Sequence, residues 1–162
     1  MVSRTGVVLA AALATSLASL ARAESLTVCG QKVTYQFTAT ADPVAKTLVG
    51  VWVGEIIAFN AAYSVDYSRC WALVIEGVDS RGAIKAQIAL ADNTKNLHNG
   101  TRYGTRGYVN SWQGQLDPGG STLRFVSGDG KNSYELQRKG ATTMEGKVVS
   151  PSGRGTLSLS KQ

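Results

Sequence analysis

The sequence predicts an all-β fold, an antiparallel up-and-down barrel of about eight strands behind a cleaved leader. Three observations carry this. Short segments alternate apolar and polar residues with a period of two, and no helical period is sustained. Clusters with turn chemistry punctuate them: Asp79-Ser80-Arg81-Gly82, Asp117-Pro118-Gly119-Gly120, Gly128-Asp129-Gly130, Lys139-Gly140 and Pro151-Ser152-Gly153. The turns recur about every 8 to 12 residues, the spacing of an antiparallel meander.

Residues 1–23 have the form of a secretory signal, with Arg4 near the start, an apolar run from Val7 to Leu20, and Ala21-Arg22-Ala23 ahead of Glu24. The run falls short of the roughly 20 residues that span a bilayer core. It therefore predicts cleavage after Ala23 and a periplasmic or secreted protein with no membrane span. The chain of 162 residues less these 23 leaves 139, enough for one domain. Within it, residues 24–47 form an N-terminal segment and residues 48–162 the barrel.

Seventeen Lys and Arg, less the two in the leader, stand against 11 Asp and Glu, so the exported chain carries a formal charge of +4. The cations are scattered rather than striped, and no nucleic-acid partner is expected. Cys29 and Cys70 are the two cysteines of the chain. In an oxidising compartment an even count predicts that they pair, stapling the N-terminal segment to the barrel. A redox role is disfavoured because catalytic pairs usually sit as Cys-x-x-Cys.

Taken in order, Val33–Thr38 is a first candidate strand, and Asp42-Pro43 a turn or breaker. Leu48–Ile57 follows, with Gly50 and Gly54 inside it marking a bulge, a bend or a close backbone approach. Phe59–Arg69 reads as an irregular connection. Cys70–Val78 and Ala83–Ala91 form a hairpin; in its second arm Ile84, Ala86, Ile88 and Leu90 share one face. Asp92–Arg106 is polar, rich in Gly and Asn, and reads as a long rim loop. Strands over 108–116, 122–127, 133–139, 143–149 and 155–160 complete eight from Leu48 to Ser160. Eight such strands close into a barrel whose interior is either filled or holds one small ligand.

Gly50-Val51-Trp52 resembles the Gly-x-Trp motif of the calycins, the lipocalin and avidin superfamily, in which a Trp on the first strand packs across the barrel floor. The order of the later segments is similar to short calycin-like modules of exported bacterial proteins. The resemblance implies a cup-shaped barrel and a floor-packing role for Gly50 and Trp52. No C-terminal helix follows the last strand, and the residues with which avidins hold biotin have no match.

His98 is the one histidine, without a metal-ligand spacing around it, so neither a metal nor a cofactor is expected. No Gly-x-Ser-x-Gly elbow is present. Glu55 and Glu76 lie on two strands that can be neighbours, the raw material of a carboxylate-dependent hydrolase, which ranks last among the readings. Aromatics and cations in the polar connections, Tyr63, Tyr67, Arg102, Tyr103 and Arg106, are the candidate ligand-binding residues, placed to line a mouth. The leading expectation is an exported binding module holding a small amphiphilic ligand in its cup. The alternative is a periplasmic protein-interaction domain, like the small barrels that inhibit proteases, with an envelope protein as partner.

Overall fold

The computed structural model describes residues 23–60, 65–91, 97–98, 101–102, 106–151 and 153–162; at 60, 65–67 and within 97–102 it describes the backbone alone. Eight antiparallel strands close into a barrel: β3 (Gly50–Asn60), β4 (Val65–Val78), β5 (Ala83–Leu90), β8 (Tyr108–Leu116), β9 (Thr122–Val126), β10 (Ser133–Arg138), β11 (Thr143–Ser150) and β12 (Gly153–Lys161). Each pairs with the next, and β12 returns to β3, with Lys161 opposite Trp52 and Gly155 opposite Ala58. Ahead of the barrel stand a hairpin, β1 (Glu24–Val28) and β2 (Gln31–Tyr35), and a short helix α1 (Pro43–Leu48). A pair of two-residue strands, β6 (Leu97–His98) and β7 (Thr101–Arg102), lies between β5 and β8.

The structure departs from the sequence reading at four places. β1 was not expected: its turn, Cys29-Gly30, has φ of +52° and +72°, the geometry of a two-residue hairpin normally announced by Asn-Gly or Asp-Gly. Asp42-Pro43 does not break structure but starts a helix. Asp42 caps it, accepting from the Ala45 N–H at 2.9 Å, and Pro43 stands where its missing N–H costs nothing. Phe59–Arg69 is mostly strand, since β3 runs on to Asn60 and β4 begins at Val65; its polar composition conceals regular pairing from Asn60 opposite Val65 onward. The long loop after β5 contains the β6–β7 pair.

Alternation sorts the side chains onto two faces. Inward go Trp52, Trp71, Leu73, Ile75, Ile84, Ile88, Trp112, Phe125, Leu136, Met144, Leu157 and Leu159, a filled interior rather than a deep cup. A second apolar cluster forms outside the wall, where the β1–β2 hairpin lays Val28 and Val33 over Ala72, Val74 and Ala89. β4 is therefore covered on both faces, which explains why residues 71–75 are apolar without interruption. The Cys29–Cys70 disulfide bonds this hairpin to β4.

Past β2 the chain stays tied to β4 at a bulge between Ile75 and Gly77. The Thr38 N–H donates to the Glu76 carbonyl at 2.7 Å, and the Gln36 N–H to the Glu76 carboxylate at 3.0 Å. Gln87 donates to the same carboxylate at 3.2 Å, and Lys85 approaches its other oxygen at 3.2 Å, so this buried charge is fully met.

One end of the barrel, the floor, is sealed by α1. Ala45 and Leu48 are buried against the interior cluster, and the indole N–H of the fully buried Trp52 donates to the Leu48 carbonyl at 2.8 Å. The Lys161 ammonium lies 5.4 Å from the Trp52 ring centroid and donates to the Thr47 carbonyl. Burial there, with the Arg138 charge adding, lowers the Lys161 pKa. Gly54 has a steric reason: a Cβ would stand 1.8 Å from the Ser158 carbonyl oxygen, where β12 crosses close to β3.

Two outcomes follow. Trp52→Ala is expected to cost about 3–5 kcal/mol, the range for truncating a buried large aromatic, in a denaturant melt. The double replacement Cys29→Ser/Cys70→Ser is expected to cost about 4 kcal/mol on the chain-entropy account while the barrel stays closed. Hydrogen exchange then shows amides of 24–35 opening before those of β3 and β12; simultaneous loss of both sets would show that the hairpin is integral to the barrel.

Candidate functional site

The end opposite α1 is the mouth. The chain segments that follow Asn60, Leu90, Val126 and Ser150 all leave from it. Here the apolar filling stops short, leaving an open cavity of about 260 Å³. Its base is an aromatic layer: the Trp71 and Tyr134 rings lie near parallel with centroids 6.0 Å apart, and Trp112 meets Tyr134 at 4.5 Å and 55°. Tyr108, Ile56 and Leu90 form parts of the wall, and Asn132 and Ser150 add polar groups.

Two arginines line this cavity, and no carboxylate among the described side chains does. Arg69, one residue before Cys70, is buried on β4, and its Nε donates to the Ala91 carbonyl at 2.9 Å, with Nη2 donating to the same oxygen. That carbonyl sits where β5 ends, so it holds the guanidinium plane against the mouth wall. Arg154, between two glycines at the start of β12, is exposed and makes no ion pair among the described residues. The described lining combines rings suited to stacking with cations suited to a charge-assisted contact.

The sequence-predicted site residues fall unevenly around this geometry. Arg106 is exposed just ahead of β8, at the mouth end. Tyr67 and Arg102 are described in their backbones, Tyr67 opposite Ala58 and Arg102 opposite Leu97. Tyr63 and Tyr103 lie outside the described residues. The cavity itself is built from strand residues instead. Trp71, Tyr108, Tyr134, Arg69 and Arg154 are not among the site residues expected from the sequence. The available signal is a cation one residue ahead of two of the strands expected from the sequence, Arg69 before Cys70 and Arg154 before Gly155.

Glu55 and Glu76 do sit on neighbouring strands, yet not together. Glu55 pairs with Cys70, six residues before Glu76 on β4, which at about 3.3 Å per residue separates them by roughly 20 Å. Glu55 accepts from the Ser68 hydroxyl at 2.5 Å on the exposed face, whereas Glu76 is committed to the bulge. The 5–9 Å spacing that glycoside hydrolysis requires of two carboxyls is not met by this pair. Among the described residues no group of three or more His, Cys, Asp and Glu is placed to hold a metal.

A larger groove of about 470 Å³ lies at the floor, among α1 and the turns after β4 and β8. Its acids are already used. Asp79 accepts from the N–H groups of Arg81 and Ala83 at 2.8 and 2.9 Å, and Asp117 from those of Ser121 and Thr122 at 2.8 Å each. They are turn-building residues.

No protein-family model and no curated protein matches the chain. Among solved structures, a redesigned β-barrel is similar with a TM-score of 0.50 at 12% sequence identity, over 76% of this chain and 99% of its own. That likeness is one of fold.

The turn carboxylates generate a pH dependence. The N–H donors of Ala83 and Arg81 hold the Asp79 pKa below its ordinary 3.8, and those of Thr122 and Ser121 do the same for Asp117. A depressed folded-state pKa contributes stability that is complete above the unfolded value and disappears as pH falls through the folded one. The melting temperature is therefore expected to fall below about pH 4, and Asp79→Asn/Asp117→Asn to flatten that fall. An identical acid limb in the variant would show that other groups govern it.

Proposed function

We propose that this chain is an exported, calycin-like binding module that takes a small anionic amphiphile at its mouth. The carrying observation is the open cavity of about 260 Å³, lined by Arg69 and Arg154 over the Trp71–Tyr134 layer and, among the described side chains, by no acid. Its volume lies just below the roughly 300–1,000 Å³ of sites that enclose drug-sized ligands, which suits a small molecule or the head of a larger one. The filled interior beneath argues against a deep lipocalin-type cup and confines capture to the upper layer. The leader-like residues 1–23 and the Cys29–Cys70 bond support export to the periplasm or beyond, with the mature chain starting near Glu24. Tyr63, Tyr67, Arg102, Tyr103 and Arg106 are in this reading rim residues of the same mouth.

The test uses 1-anilinonaphthalene-8-sulfonate, an anionic aromatic probe, alongside its uncharged relative N-phenyl-1-naphthylamine. The sulfonate is expected to quench tryptophan emission on titration, and Arg154→Gln to weaken it about tenfold, as for loss of one charge-assisted contact, with little effect on the neutral probe. Equal affinity of parent and Arg154→Gln for the sulfonate would defeat the mouth as an anion site. Native mass spectrometry of protein from its own host is expected to show a retained small acid.

A further inference from the structure

The outer wall is not uniformly wet. Most of the large apolar side chains left exposed among the described residues gather on the side that the hairpin does not cover: Ile57 (48% exposed), Phe59 (40%), Val126 (54%) and Val149 (53%). Pairing places Val126, Ser133, Val149 and Arg154 in one outward row at the mouth end of β9–β12, running toward Phe59 on β3. The next row toward the floor is Arg124, Glu135, Lys147, Thr156 and Ile57. The row below that turns polar and acidic, with Gln137, Glu145, Ser158 and Glu55.

These two upper rows form a collar spanning five strands, about 19 Å at the usual strand spacing. Its charge is cationic. Arg124, Lys147 and Arg154 face a single carboxylate, Glu135, which is shared between Arg124 at 3.2 Å and Lys147 at 3.3 Å. An open groove of about 530 Å³ runs over the collar between Ile57, Phe59, Val149 and Thr156. Phe59 and Arg154 also line the mouth cavity, so collar and mouth share one rim.

We infer that this collar docks the protein on an anionic lipid surface, with the mouth turned toward the bilayer. In the upper row apolar residues alternate with a hydroxyl and a cation, and the row beneath supplies Arg124 and Lys147 beside Ile57, a combination that lets side chains dip below the headgroups while Lys and Arg meet phosphates. The charge-depleted centre of a protein interface is missing. A second copy of the chain would set one cationic collar against another. The inference does not depend on the ligand reading, because Ile57, Val149 and Lys147 lie outside the mouth cavity.

Vesicles of equal parts phosphatidylglycerol and phosphatidylcholine, sedimented with the exported chain at low salt, are expected to carry it down at least tenfold more strongly than phosphatidylcholine alone. Ile57→Ser/Val149→Ser should lose about tenfold in vesicle binding, and Lys147→Gln about fivefold, as for one cation near a charged surface. Both variants should keep the parent's response to the sulfonate probe without vesicles, so a failed mouth and a failed collar give different results. Circular dichroism and melting confirm folding; if the double variant unfolds, Val126→Ser and Lys147→Gln carry the test. The inference is overturned if the parent ignores phosphatidylglycerol, if it binds both vesicles alike, if folded collar variants bind as the parent does, or if sedimentation velocity shows a dimer that Val149→Ser dissolves.

Discussion

The pairing of β12 with β3 is the constraint on which the rest of the molecule depends. It joins Trp52 to Lys161 and Gly155 to Ala58, turning a linear meander into a wall without edges. Once the wall is closed, one face of every strand has a dry interior to fill and the other must find water or a cover. The two strands come close enough that only hydrogen fits at Gly54, where a side chain would meet the Ser158 carbonyl. Trp52 and Lys161, at the floor end of this seam, are fixed to α1 by their bonds to Leu48 and Thr47. Closure and sealing of the floor are thus one event.

From this division follows where the protein can interact. The interior is taken up by tryptophans and branched aliphatics, so it offers no deep chamber. The outer faces of β4, β5 and β8 are occupied by the N-terminal hairpin, and the floor groove by carboxylates already engaged in turns. What remains is the mouth, where the filling ends on the Trp71–Tyr134 layer, and the uncovered side of β9–β12 and β3. Both lie at the same rim, and among the described side chains both carry an excess of cations.

The barrel was legible in the sequence because its determinants are local. Alternation in Ala83–Leu90 and Tyr108–Leu116 and the turns at Asp79, Asp117 and Gly128 each state a strand or its end without reference to the rest of the chain. What escaped was structure whose signal is nonlocal or disguised. The first hairpin turns on Cys-Gly, a pair read more readily as half of a disulfide. α1 is too short to show a period, and the strand segments on either side of residues 61–64 carry Asn, Asp, Tyr and Ser, a composition typical of loops. The cavity was obscured for another reason: Arg69, Tyr134 and Arg154 converge only through the register of three separate strands. Along the chain, by contrast, the aromatics and cations that stand as neighbours are those of the polar connections, Tyr63, Tyr67, Arg102, Tyr103 and Arg106.

The linkage of the hairpin to β4 has a consequence in time. Residue 70 follows residue 29 by 41 positions, and both precede six of the eight barrel strands, whereas the seam must wait for residue 161 to reach residue 52. A chain that emerges amino end first can make its covalent tie while most of the wall is still missing. The apolar outer face of β4 then has its cover before the inner face has a core to join. Closure, the slow nonlocal step expected of such topology, begins from a segment whose exposed side is already protected from wrong partners.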